Sequence, residues 1–273
     1  MNIGERRSFY YRSDLIKDLP NVERLPDKTQ ANIEIKVVQV IYESFVKPGD
    51  QDYLTARLLA QRGLPRAFFW AAAQTIEKYL KAFLLLNGKS LLDKKYKGHP
   101  IDELFRDAVE IDERLININL YPHKDINIDC EIRKRIKEFS LEVFIKDIKT
   151  HGSASNRYNL SGVEFDTGHL FALDNFVYAL RRLIGVPPIA DSFYNVHDDL
   201  INIFQDNNPL FCGDSNMCHS KIPSKNFQIQ RSRSVTTLDF LIKNKNDVGN
   251  IPALRWLNNK MKLPKEVSKI LKT

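Results

Sequence analysis

Two stretches of the chain carry side chains able to act on a phosphate. The first, "HGSASNRYNLSG", sets His151 and Arg157 with five residues between them and places Tyr158 next to the arginine. An arginine fork holds a phosphate and stabilises developing negative charge, and a histidine moves protons near neutral pH. The second, "AAAQTIEKYLKAFLLLNG", runs from Ala71 to Gly88 and carries Gln74, Glu77, Lys78 and Lys81 at helical spacing. Glu77 and Lys81 stand at i and i+4 in the favourable order for a helix pair. If this face is buried, Glu77 needs a cationic partner, and Arg157 is one candidate. His99 follows the basic loop "DKKYKGHP". It reads either as a proton-transfer group beside Lys97 or as a residue that caps or packs the start of the next helix, with Pro100 at the first helical position.

Other constellations give less. Cys212, Cys218 and His219 lie close together, but only Cys130 remains to complete a zinc set, so no metal is expected. Arg231 and Arg233 in "FQIQRSRSVTT" make a basic patch with Lys221 and Lys225, of a kind able to track a phosphate backbone. Only Phe227 is at hand as a stacking platform, so a solvated loop is expected there. The chain has no phosphate-cradling Gly-rich loop and no Gly-x-Ser-x-Gly or His-Glu-x-x-His run, and no cofactor is expected.

The elements that must position these residues read as helices. "NIEIKVVQVIYESFV" fits a helix by its length, after an irregular lead-in over residues 1 to 30. A turn is expected at Pro48-Gly49, with Asp50 or Asp52 as N-cap of a short helix that stops at Gly63. A longer helix starts at Leu64 or Pro65 and ends at Asn87-Gly88, with Phe69, Ala73, Ile76, Leu80, Phe83 and Leu84 as its buried stripe. "HPIDELFRDAVEIDERL", "CEIRKRIKEFSLEVFIKDIKT" and "DTGHLFALDNFVYALRRLIG" each give one further amphipathic pattern, the last closed by Arg181, Arg182 and Gly185. The expectation is an all-α, antiparallel up-and-down bundle of four or five helices without strands. It divides into an extension over 1–48, a bundle over 49–187 and, beyond Pro187-Pro188, a helical and loop extension over 188–273.

Composition sets outer bounds. The 273 residues suffice for one large domain; 43% are hydrophobic and 27% charged, as in ordinary globular proteins. The net charge of +7 favours anionic ligands without naming one. Three cysteines, no signal-like N-terminus and no apolar run of membrane-span length lead to the expectation of a cytoplasmic protein with no membrane association.

Asp52 with "ARLLAQRG", then Gln74, Glu77, Lys78, Lys81 and Ala82, then His99 with Leu104, follow one another in an order that resembles the HEPN (higher eukaryotes and prokaryotes nucleotide-binding) domain family over about residues 50 to 186. The resemblance implies a helical bundle, a homodimer with the cleft at its interface, and binding of RNA, a nucleotide or another phosphate-bearing ligand. Its setting would be stress, toxin-antitoxin or phage defence. Gln74, Glu77, Lys78, Lys81, His99, Arg157 and Tyr158 would be the ligand-binding positions. Many HEPN proteins are metal-independent ribonucleases with an Arg-x4-6-His motif, and no arginine of this chain is followed by a histidine at that spacing. The resemblance therefore implies a non-catalytic binder. The alternatives are a ribonuclease with a displaced site, Arg157 with His151, or with His99 or His169, and a ligand-free interaction module. Arg157-Tyr158 is also similar to the Arg-Tyr of HEPN partners of minimal nucleotidyltransferases, which implies such an enzyme as a partner protein.

Overall fold

The structure, a computed structural model, describes residues 11–12, 14–122, 128, 130–185, 208, 210, 231–233, 235–246, 251, 254 and 264–272. The helix candidate "ADSFYNVHDDLINIFQD", the prolines 187 and 188 and the Cys212, Cys218, His219 group lie outside these residues, as do Lys221, Lys225 and Phe227.

The described chain is mostly helical. Its helices are α1 (Asp27–Ile41), α2 (Lys47–Gln61), α3 (Pro65–Leu86), α4 (Ile101–Ile111), α5 (Cys130–Arg135), α6 (Leu141–His151), α7 (Gly168–Ile184), α8 (Thr237–Lys243) and α9 (Lys265–Ile270). The helix α3 is the axis of the bundle and packs against α2, α4, α6 and α7. Pro65 opens it at a position whose N–H has no helical partner, and it closes at Gly88, whose φ of 75° suits a residue without a side chain. Every residue of the expected apolar stripe is buried. Complete burial of one such side chain, Phe69 for example, contributes about 1.5–3 kcal/mol.

Polar links across the core fix the directions of the helices. Asp50 and Asp52 on α2 meet Tyr79 and Lys78 on α3, so these two helices are antiparallel. Asp50 and Arg57 on α2 meet Arg181 and Asp174 on α7, an antiparallel pair too. The side chains of Asp50, Arg57, Asp174 and Arg181 are almost wholly removed from solvent. Each buried carboxylate also accepts from a buried tyrosine, Tyr79 for Asp50 and Tyr53 for Asp174, so neither charge is left with its arginine alone.

Several expectations are corrected. Pro48-Gly49 is no turn: the helix runs from Asp27 to Gln61 through a π-helical turn at Tyr42–Val46. Pro48 lacks the N–H that would bond Ser44, and a widened turn just before it absorbs that defect. Asp50 and Asp52 are therefore not caps but partners of Arg181 and Lys78. The pattern from Cys130 to Thr150 is two helices, because Ser140 adopts extended backbone and its Oγ caps the amide of Val143 at 3.3 Å. Arg181, one of the two cations at the C-terminus of α7, lies in the core.

Strands exist as well. Glu164–Asp166 (β1) pairs antiparallel with Arg231–Arg233 (β2), Glu164 opposite Arg233 and Asp166 opposite Arg231. Arg231 Nε donates to Asp166 Oδ2 at 2.6 Å, so this arginine belongs to an ordered ribbon and not to a solvated loop. Behind the ribbon, Leu238, Leu254 and Val267 form a small apolar cluster with Leu160, which holds the C-terminal helices against the turn after α6.

Candidate functional site

One stripe of α3 carries Arg66, Trp70, Gln74, Glu77 and Lys81, spaced by three and four residues and so within one face of the helix. At its C-terminal end the structure brings four of the expected residues together. Glu77, only 6% exposed, accepts from Lys81 Nζ at Oε1 (2.6 Å), and its Oε2 lies 2.6 Å from His99 Nδ1. The Gln74 amide lies 3.4 Å from the same ring nitrogen. Glu77 thus pairs with Lys81 and His99, where Arg157 had been one candidate. Lys78 is set apart from this group by its ion pair with Asp52.

His99 is not a helix cap. Pro100 occupies the position before α4 with no side-chain cap, and His99 turns back to α3 from a left-handed backbone, φ 61°, directly after Gly98 at φ 80°. A non-glycine residue in that region carries strain of order 1–3 kcal/mol, and the bond to Glu77 helps hold it there. The ring edge also meets Trp70 at a centroid distance of 5.7 Å.

The N-terminal end of the stripe faces the turn between α6 and β1. Arg66 Nη1 donates to Asn156 Oδ1 (2.5 Å), Asn156 O (3.1 Å) and Ser161 O (2.9 Å), and thereby pins the turn Ala154–Tyr158 that contains Arg157 and Tyr158. Partial burial lowers the Arg66 pKa, with the Asp239 charge opposing. Tyr158 is 72% exposed. Arg157 shares its turn, its side chain lying outside the described part of the molecule.

His151 ends α6. The next residue, Gly152, comes so close to α3 that a Cβ there would lie 2.5 Å from both Ala73 Cβ and Phe69 O. This approach seats the His151 ring on Phe69, centroids 4.8 Å apart. Burial lowers its pKa, opposed first by the Asp147 carboxylate, so the imidazole is neutral at pH 7. No described residue bonds its ring nitrogens.

Two open clefts meet at His151. One, of about 490 Å³, is mostly apolar and is walled by Leu64, Pro65, Ala67, Trp70 and Val163, with Arg66, Ser153, Asn156 and Asn159 as polar members. The other, of about 570 Å³, is lined by His151, Val163, Glu164, Arg233, Phe240 and Lys243 among others. Both volumes fall in the range of small-ligand sites. His169, the other imidazole considered, is 1% exposed. Its Nδ1 accepts from the Asp166 amide at 3.1 Å and its Nε2 approaches Asp147 at 3.4 Å, while Phe139, Phe69 and Phe165 surround the ring. It fastens the start of α7 and is closed to a substrate.

Sequence reasoning missed Arg66, Trp70, Phe240 and Lys243. The first two were readable as the same helix face as Gln74 and Glu77; the latter two required the packing of α8 beside β1. Among the described residues no group of His, Cys, Asp or Glu is arranged to hold a metal ion, and Cys130 is exposed. No helix of the described chain is long and apolar enough to cross a membrane. Comparison with protein-family models, with curated proteins and with solved structures gave no match.

Proposed function

We propose that the chain is a HEPN-like helical bundle that binds a phosphate-bearing ligand, RNA or a nucleotide, at the turn from His151 to Tyr158 without cleaving it. The observation that carries this reading is the meeting of two clefts at an imidazole whose nitrogens bond no described residue, beside a turn bearing Arg157. The net charge of +7 and the Gln74, Glu77, Lys81 and His99 grouping on the same helix face support it. The non-catalytic form is preferred because general acid–base cleavage needs two proton-transfer groups near one phosphate. His169 is enclosed, and His99 is committed through Nδ1 to Glu77.

Incubation of metal-free protein with labelled RNA tests this reading, alongside Arg157→Ala and His151→Ala. Retention of intact RNA by the wild type and weakened retention by both variants is expected. Cleavage that both substitutions abolish would replace the binding reading with a ribonuclease whose site departs from the family order. Unaltered retention by Arg157→Ala would remove the site assignment. The homodimer and a nucleotidyltransferase partner are further parts of the proposal that rest on the resemblance; a monomer in sedimentation would remove the interface cleft.

A further inference from the structure

The cleft on the far side of His151 is built partly from the C-terminal segment, which the sequence marked only by the basic patch around Arg231 and Arg233. Arg233 of β2 and Lys243 of α8 both line it and both are exposed. Neither has a hydrogen-bond or ion-pair partner among the described residues. The carboxylates beside them are already engaged. Asp239 accepts at Oδ2 from the amides of Gly162 (2.6 Å) and Thr236 (2.9 Å), and Glu164 lies 3.3 Å from Lys137 Nζ. Among the described residues the cleft therefore presents two cations without a hydrogen-bonded partner, and Phe240, 53% exposed, lines it too.

Across His151 the character reverses. The Trp70 cleft is apolar, and its one guanidinium, Arg66, is occupied in pinning the turn. An apolar cleft that meets one bearing two exposed cations beside Glu164 and Asp239 matches the two halves of a nucleotide unit, a stackable base and a phosphodiester. His151, neutral at pH 7, lies at the junction, where it adds a hydrogen-bonding edge without charge.

We propose that the two clefts are one continuous site for a single-stranded polynucleotide, with a base in the Trp70 cleft and the sugar-phosphate chain passing His151 to Arg233 and Lys243. The proposal rests on the phosphate-binding reading above and adds to it the strandedness of the ligand and a role for the C-terminal segment. A duplex keeps its bases stacked inside and has none to place in the Trp70 cleft. An acidic peptide would satisfy the cationic half and leave that cleft without a counterpart.

The test is fluorescence anisotropy of labelled oligouridylate and oligothymidylate against the full chain, with a duplex of equal length and unlabelled polyglutamate as competitors. The wild type should hold one or both single strands at least tenfold more tightly than the duplex and release little to polyglutamate. Trp70→Leu should weaken binding by about 5- to 150-fold, the span that stacking of one base represents. Arg233→Ala with Lys243→Ala should reduce the magnitude of the log–log salt slope by about 1.4, or 0.7 for each lost phosphate contact on a single strand. Both positions are exposed, so these variants should keep the far-UV circular dichroism and unfolding midpoint of the parent. Wild-type affinity and salt slope in the double variant would overturn the proposal while leaving a phosphate site at the turn intact. So would equal binding of duplex, or full displacement by polyglutamate. Absence of binding to any oligonucleotide or nucleotide by the wild type would overturn the underlying reading as well.

Discussion

Gly152→Ala is the sharpest test of how the site is held. The Gly152 φ is −85°, a value that alanine adopts without strain, so on backbone grounds alone the substitution should stabilise by about 0.4–1 kcal/mol. Packing reverses the sign. The new methyl would lie 2.5 Å from Ala73 Cβ, 2.5 Å from Phe69 O and 2.6 Å from Ile148 O, roughly 1 Å inside ordinary contact, and two of the three neighbours are backbone atoms that cannot rotate away. Overpacking of this kind costs typically 1–3 kcal/mol, and with backbone on two sides the upper end, about 3 kcal/mol, is expected. With a urea m-value of about 2–3 kcal/mol/M the midpoint should fall by about 1 M at unchanged m. Because relief requires the end of α6 to withdraw from α3, His151 leaves Phe69, and ligand binding should weaken along with stability. Urea unfolding followed by circular dichroism checks the first claim and oligonucleotide anisotropy the second. An unchanged or raised midpoint would refute the close approach of α6 to α3 and with it the account of how His151 is placed.

Further consequences concern the core and the titrating groups. Arg181→Met leaves Asp50 buried with Tyr79 alone and should cost about 3–5 kcal/mol, whereas Asp50→Leu with Arg181→Met should recover most of that loss; additivity in thermal unfolding would contradict the pairing. The lowered pKa of His151 means that the unfolded chain binds its proton more readily than the fold does. Stability is therefore full above the unfolded value near 6.5 and declines as pH falls below it. His151→Gln should flatten that decline, and an unchanged slope of unfolding free energy between about pH 7 and 5.5 would remove the assignment. Asp147 acts in a lower window. Burial, the largest single influence, raises its pKa, but the His169 hydrogen bond and the nearby positive charges together depress it. Its contribution is therefore full above the ordinary value of 3.8 and is lost as pH falls below that. Glu77→Gln should release Lys81 and His99, seen as faster amide exchange over residues 89–100 with α3 itself still protected; equal protection would mean that the bond to Glu77 does not fix the loop.

What the sequence made legible follows the range of the interactions involved. The start of α3 at Pro65, its end before Gly88 and the close of α7 at Gly185 are local events, written in residues whose backbone geometry is special. The pairing of Glu77 with Lys81 was readable for the same reason. The break at Ser140 was written locally but was outweighed by a continuous apolar period on both sides. Pro48 misled because its usual helix-ending effect is absorbed by a π-helical turn, a choice made by the packing of Tyr53 and Asp50 against α3 and α7. The three-residue strands are too short to show a period of two, and their partners are separated by more than sixty positions. Of the residues lining the two clefts, His151 and Arg233 were singled out in the sequence, whereas Arg66 and Trp70 were not, and Phe240 and Lys243 join His151 in one cleft only after the ribbon and the Leu160 cluster have folded α8 into place.

The measurement that addresses the central claim most directly is photocrosslinking of a 4-thiouridine-substituted single-stranded RNA to the full chain, with the attachment sites mapped by mass spectrometry. The account predicts adducts on Trp70 and Phe240 and on peptides spanning His151 to Tyr158, diminished by Gly152→Ala. Adducts confined to other surfaces, with these peptides unmodified, would contradict it.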